Sequence, residues 1–138
     1  MKHNKRILVV EDEFIISMEI QDRLHNLGHV VVGAATSSET AISIYEKNDP
    51  DLIFMDIQLQ DDVDGIETAN HIRTFSDVPI IFLTAYSSKD SKKRADKIPH
   101  SLYMNKPFSE WEITSAIEDI FSNYGVKQEL SSLEILSN

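Results

Sequence analysis

"RILVVEDE", residues 6–13, joins a short apolar run to three consecutive acids. Ile7 to Val10 have the β-branched and leucine composition of a strand covered on both faces, the kind found in parallel sheets. Similar runs recur along the chain: "HVVVGAA" at 29–35, "DLIFMD" at 51–56, "PIIFLTA" at 79–85 and, least apolar, "SLYMN" at 101–105. The stretches between them have helical spacing. Ile16, Ile20, Leu24 and Leu27 mark the first helix, and Gly28 is a C-terminal cap. Thr36-x-x-Glu39 reads as a capping box opening the second, which carries Ala41, Ile42 and Tyr45 and stops at "NDP". The third spans about 65–75 and the fourth about 88–97. Ser109-x-x-Glu112 opens the fifth, with Trp111, Ile113, Ile117, Ile120 and Phe121 expected to pack inward.

Five strands alternating with five helices require parallel pairing through right-handed crossovers, so helices cover both faces of one sheet. The expected architecture is a doubly wound α/β domain of strand order 2-1-3-4-5. Its ligand site lies at the carboxyl ends of strands one and three, where the winding reverses. The acids that follow strand one therefore fall in that crevice.

The chain has 138 residues, enough for one domain around one core, and 41% hydrophobic with 26% charged residues is the mix of a globular protein. A net charge of -10 disfavours nucleic acid and anionic membranes as partners. There is no cysteine, hence no disulfide framework and no thiolate metal site. The apolar run near the N-terminus is too short for a signal peptide and no run reaches membrane-spanning length, so a cytoplasmic protein is expected.

Strand three also ends in an acid, Asp56, so Glu11, Asp12 and Asp56 should converge. Three carboxylates within about 4–6 Å raise one another's pKa unless a cation lies between them. A hard cation with oxygen ligands resolves the conflict, and magnesium fits, because it uses few carboxylates and recruits phosphoryl oxygens. Glu13 has the alternative of sitting at a helix N-terminus, where the dipole favours it. A resident nucleotide or flavin is excluded, since the loop after strand one is acidic instead of glycine-rich. Thr84 ends strand four and Lys106 follows strand five, adding a hydroxyl and an ammonium to the same rim. With metal and lysine matching the charge of a transferring phosphoryl group, Asp56 can attack as a carboxylate nucleophile.

Glu11-Asp12, Asp56, Thr84-Ala85 and Lys106-Pro107-Phe108 at the strand ends, together with Tyr103, resemble the receiver (REC) domain of two-component response regulators, which has a flavodoxin-like fold. The resemblance implies a receiver domain over residues 1–124, followed by a tail at 125–138. It implies that Asp56 accepts a phosphoryl group from a histidine kinase or a histidine phosphotransfer protein. Magnesium would be held by Glu11, Asp12, Asp56 and the backbone carbonyl of Gln58. Thr84 and Tyr103 would form the switch pair, and Gln58 and Tyr86 would tune dephosphorylation. Gln60 stands where many relatives carry a proline, in a loop one residue longer than usual. A phosphatase of the haloacid dehalogenase class shares the aspartyl nucleophile and the magnesium but resembles Asp-x-Asp, and position 58 is Gln.

The remaining residues have plainer readings. His25 and His29 are separated by helix-breaking Gly28 and do not read as a metal pair, and His71 reads as solvated. The fourth helix concentrates Lys89, Lys92, Lys93, Arg94 and Lys97, whereas the fifth carries Glu110, Glu112, Glu118 and Asp119. That opposition suggests a homodimer through helix four, strand five and helix five, a surface that in the family changes on phosphorylation.

Overall fold

The computed structural model describes residues 4–60, 62–85 and 89–122. Five strands, β1 (Arg6–Val10), β2 (Val30–Ala35), β3 (Leu52–Asp56), β4 (Ile80–Thr84) and β5 (Ser101–Asn105), form one sheet of order β2-β1-β3-β4-β5, and every pair is parallel. The helices are α1 (Phe14–Asn26), α2 (Ser38–Asn48), α3 (Gly65–Arg73), α4 (Lys89–Asp96) and α5, described over 110–122.

The period of two along each strand sends alternate side chains into two separate cores. Leu8, Val10, Ile53, Met55, Ile80 and Phe82 point to one face, where Ala41 of α2, Ile66, Ala69 and Ile72 of α3 and Ala95 of α4 cover them. Ile7, Val9, Leu52, Phe54, Ile81 and Leu83 point to the other, under Ile20 and Leu24 of α1 and Ile113, Ile117 and Ile120 of α5. Phe54 and Phe82 are fully buried on opposite faces, and each such side chain contributes about 1.5–3 kcal/mol of transfer free energy. Coverage on both faces is why β1, β3 and β4 read as unbroken apolar runs. The edge strands β2 and β5 are only partly covered.

Helix ends follow local chemistry. Gly28 takes φ +92° just past α1, a conformation that favours glycine. The second helix is capped by Ser37, whose Oγ accepts from the Thr40 amide, so the cap lies one residue beyond the expected Thr36 and Glu39 is not its N3 partner. Ser37 wins because its extended backbone (φ -145°, ψ 166°) lets the hydroxyl meet a free N–H of the first turn. Helix α3 is shorter than expected, ending at Arg73, and Asp64 and Glu67 form a complete capping box at its start. At α5 the expected box is present: the Ser109 amide donates to Glu112 Oε1 at 3.1 Å, and the Glu112 amide to Ser109 Oγ at 3.2 Å. Trp111, expected to pack, is instead 76% exposed, because it lies off the stripe formed by Ile113, Ile117 and Ile120. The expected tail, residues 125–138, lies outside the described residues.

Candidate functional site

Parallel strands end at the same side of the sheet, so the order β1-β3-β4-β5 brings the residues after each strand to one rim. Glu11 leaves β1 with its amide still bonded to Ala35 O at 2.9 Å, and it is buried to 1% exposure. Asp56 is the last residue of β3 and is 5% exposed, while Asp12 is half-buried. One oxygen from each of these three carboxylates lies within 4.8 Å of the other two.

Each carboxylate is oriented by a backbone amide. Gln58 N–H donates to Asp56 Oδ1 at 3.1 Å, Gln60 N–H to Asp12 Oδ2 at 2.9 Å and Glu13 N–H to Glu11 Oε2 at 3.3 Å. The Lys106 ammonium bridges two of them, at 2.5 Å from Glu11 Oε1 and 3.4 Å from Asp56 Oδ2. Its own amide donates to Thr84 O at 2.8 Å, which ties the lysine to the fully buried end of β4.

Burial pushes the Glu11 carboxyl above its ordinary value and the Asp56 carboxylate adds to the rise, against the pull of Lys106. Asp12 is raised as well, first by burial and then by Glu11. Burial would lower Lys106, but its bond to Glu11 and the charges of Glu11 and Asp56 outweigh that and hold it above the usual lysine range. A pocket with hard oxygen donors and excess negative charge fits magnesium.

The N-terminus of α3 rests on the same strand end. A Cβ on Gly65 would stand 2.0 Å from Asp56 O, so only glycine fits, and the Gly65 amide donates to Ile57 O at 2.9 Å. Gln58 is exposed beside the cluster. Tyr103 projects from β5 against the core, with Lys92 Nζ 5.1 Å from its ring centroid. Its hydroxyl is buried without a hydrogen-bond partner among the described residues, and burial pushes its pKa up. Tyr86 lies outside the described residues.

Sequence reasoning missed the backbone donors Gln58 and Gln60, since an amide carries no residue-type signal. It also missed the ion pair at 2.9 Å between Arg94 of α4 and Asp64. The Asp64-x-x-Glu67 spacing could have revealed the cap but not that partner. His71 is exposed, as read, and edges against Phe75.

A doubly wound domain brings three carboxylates and a bridging lysine together at its switch point, a cluster that could hold a hard cation. The profile of the response regulator receiver domain matches residues 7–118, and the chain belongs to that family. It is 35% identical over 130 residues to the transcriptional regulatory protein PdtaR of Mycobacterium tuberculosis, a match covering 94% of this chain and 62% of that protein. It is 33% identical over 112 residues to the phyllosphere-induced regulator PhyR of Methylorubrum extorquens, covering 80% of this chain and 41% of that one. The chain thus spans less than two thirds of these curated relatives. Among solved structures, the receiver domain of PhyR from Erythrobacter litoralis superposes with a TM-score of 0.73 at 32% identity, covering 86% of this chain and 90% of that one. The receiver domain of a modulated diguanylate cyclase from Desulfovibrio desulfuricans gives 0.81 at 27% identity, covering 90% and 98%. Among the described residues no helix is long and apolar enough to cross a membrane.

Proposed function

We propose that this domain is the phosphoacceptor of a two-component relay, with Asp56 as the nucleophile. The observation that carries the reading is the bridging of Glu11 and Asp56 by Lys106 inside a three-carboxylate cluster. An Asp56 carboxylate oxygen attacks the phosphorus of a phosphohistidine on a histidine kinase or phosphotransfer protein. The P–O bond forms as the P–N bond breaks, and the imidazole leaves with that electron pair. Glu11, Asp12, Asp56 and the Gln58 carbonyl are the candidate magnesium ligands, and the bound ion would spread charge off the phosphoryl oxygens. Lys106 neutralises a further oxygen and Thr84 donates to one. Water attack at phosphorus later returns the free carboxylate and inorganic phosphate, at a rate tuned by the side chains of Gln58 and Tyr86.

The output of this switch is a change of surface, not turnover of a foreign substrate. Thr84 moves toward the phosphoryl group and Tyr103, whose hydroxyl is already buried against the core, repacks behind it, altering the face of α4, β5 and α5. A groove of about 470 Å³ on that face is lined by Tyr103, Met104, Pro107, Trp111 and Asp119. Its acidic rim beside the basic α4 supports a homodimer through the same three elements. Acetyl phosphate with magnesium tests the central step: the parent should take up label and Asp56→Asn should not. Equal labelling of both would move the acceptor elsewhere.

A further inference from the structure

Helix α4 buries little of its own surface. Within its eight residues only Ala95 is buried, and Lys89, Lys92, Lys93 and Asp96 are exposed. Its C-terminal connection is firmly fixed. Arg73 donates to Pro99 O at 2.9 Å and His100 O at 3.0 Å, and Ser101 Oγ donates to Ile98 O at 2.7 Å. Its N-terminal end follows Thr84 along the chain. Between those two ends, Arg94 bonds Asp64 at 2.9 Å.

Asp64 is anchored at the start of α3. Its Oδ1 accepts from the Glu67 amide at 2.8 Å, its carbonyl accepts from Thr68 Oγ1 at 2.8 Å, and the next residue is the glycine seated on the Asp56 carbonyl. The pair therefore joins the frame that holds the phosphoacceptor to the helix that follows the switch threonine. We propose that the Arg94–Asp64 ion pair is a latch that keeps α4 in its unphosphorylated setting and so opposes phosphorylation of Asp56. The inference rests on the reading of Asp56 and Thr84 given above. When Thr84 is drawn toward a phosphoryl group, α4 is pulled from its N-terminal side while its C-terminal connection stays in place, and Arg94 leaves Asp64. An interaction present in one state only must weaken binding of whatever favours the other state, by the same factor. Arg94 and Asp64 are positioning residues here, and neither touches the reacting atoms.

The test uses beryllofluoride with magnesium as the phosphoryl mimic. Asp64→Ser keeps an N-cap hydroxyl while removing the carboxylate, so the latch is separated from the cap. Asp64→Ser and Arg94→Gln should each bind the mimic about two- to fivefold more tightly than the parent, the range of a half-exposed ion pair. The double variant should be no tighter than either single one, and Arg94→Lys should stay near the parent. In the absence of the mimic, amides of α4 should exchange faster in both variants than in the parent. Equal or weaker binding by the single variants, or additive effects in the double, overturns the latch while leaving the phosphoacceptor reading intact. A parent that does not bind the mimic overturns both.

Discussion

Removing a charge from the acidic cluster should stabilise the metal-free protein, and the size of the gain should depend on which acid is removed. Asp12 faces two carboxylates at no more than 4.8 Å and has no contact with Lys106. At that separation each repulsion is about 0.9 kcal/mol in a water-like dielectric and about 3.5 kcal/mol at an effective value of 20. Asp56 meets the same two repulsions but also an attraction to Lys106 at 3.4 Å, about 1.2–4.9 kcal/mol over the same range. Asp56→Asn should therefore stabilise by only about 0.5–2 kcal/mol, whereas Asp12→Asn, at a half-exposed position, should gain about 1.7 kcal/mol or more. Asp12→Asn keeps the oxygen that accepts the Gln60 N–H, whereas in Asp56→Asn keeping the bond from Gln58 N–H turns the amide NH2 toward the Lys106 ammonium, which holds its gain at the low end. Urea denaturation followed by far-UV circular dichroism in chelator measures the order, with about 3–5 °C in Tm per kcal/mol as an independent readout. Magnesium should then reverse it, since the ion stabilises the parent in proportion to its affinity and the variants less. If both variants are less stable than the parent in chelator, the electrostatic account of the site is wrong.

Three further outcomes follow from other parts of the molecule. Arg73 donates to the carbonyls of Pro99, His100 and Ser76, so Arg73→Ala should cost about 2–4 kcal/mol in urea denaturation, and Arg73→Lys should recover only part, because one ammonium cannot reproduce the guanidinium fork; full recovery by lysine would refute that geometry. His29 Nδ1 accepts from the Lys5 amide at 3.0 Å, and burial, followed by Lys5, holds the ring's pKa below its ordinary 6.5. The fold thus favours the neutral ring: stability should be flat above that value and fall as pH drops through it, and a His29→Gln variant with the same slope between pH 7.5 and 5.5 would exclude this source. Sedimentation should show a dimer with beryllofluoride and magnesium and a monomer without, and a protein monomeric in both at tens of micromolar would defeat the homodimer.

The strands were readable because burial on both faces leaves no polar alternation to interpret, and β5 was the faintest because it lies at an edge and is only half-covered. Converging acids could be inferred once strand order was known, since parallel strands share an end. Other features depend on geometry that residue types do not encode. Ser37 displaced Thr36 as a cap through a local backbone angle, and Trp111 turned outward because one position on a helix is a rotation of about 100°. The three amides that orient the carboxylates, and the carbonyls that receive Arg73, are main-chain groups available at every position. Arg94 looked like one more cation in a solvated run, and only its partner across the fold distinguishes it from its neighbours.

Trp111 is the chain's single tryptophan, it is exposed, and it lines the groove between β5 and α5 with Tyr103 and Pro107. Its emission consequently comes from one place, the face proposed to change. In the free protein the indole should emit as a hydrated ring and be open to iodide. Anything that settles over the groove should shift emission to the blue and shield it from the quencher, and a repacking of Tyr103 should alter it without any added partner. The molecule thus carries an intrinsic optical probe at its proposed output surface, and signal arrival and partner arrival can be timed separately on unlabelled protein.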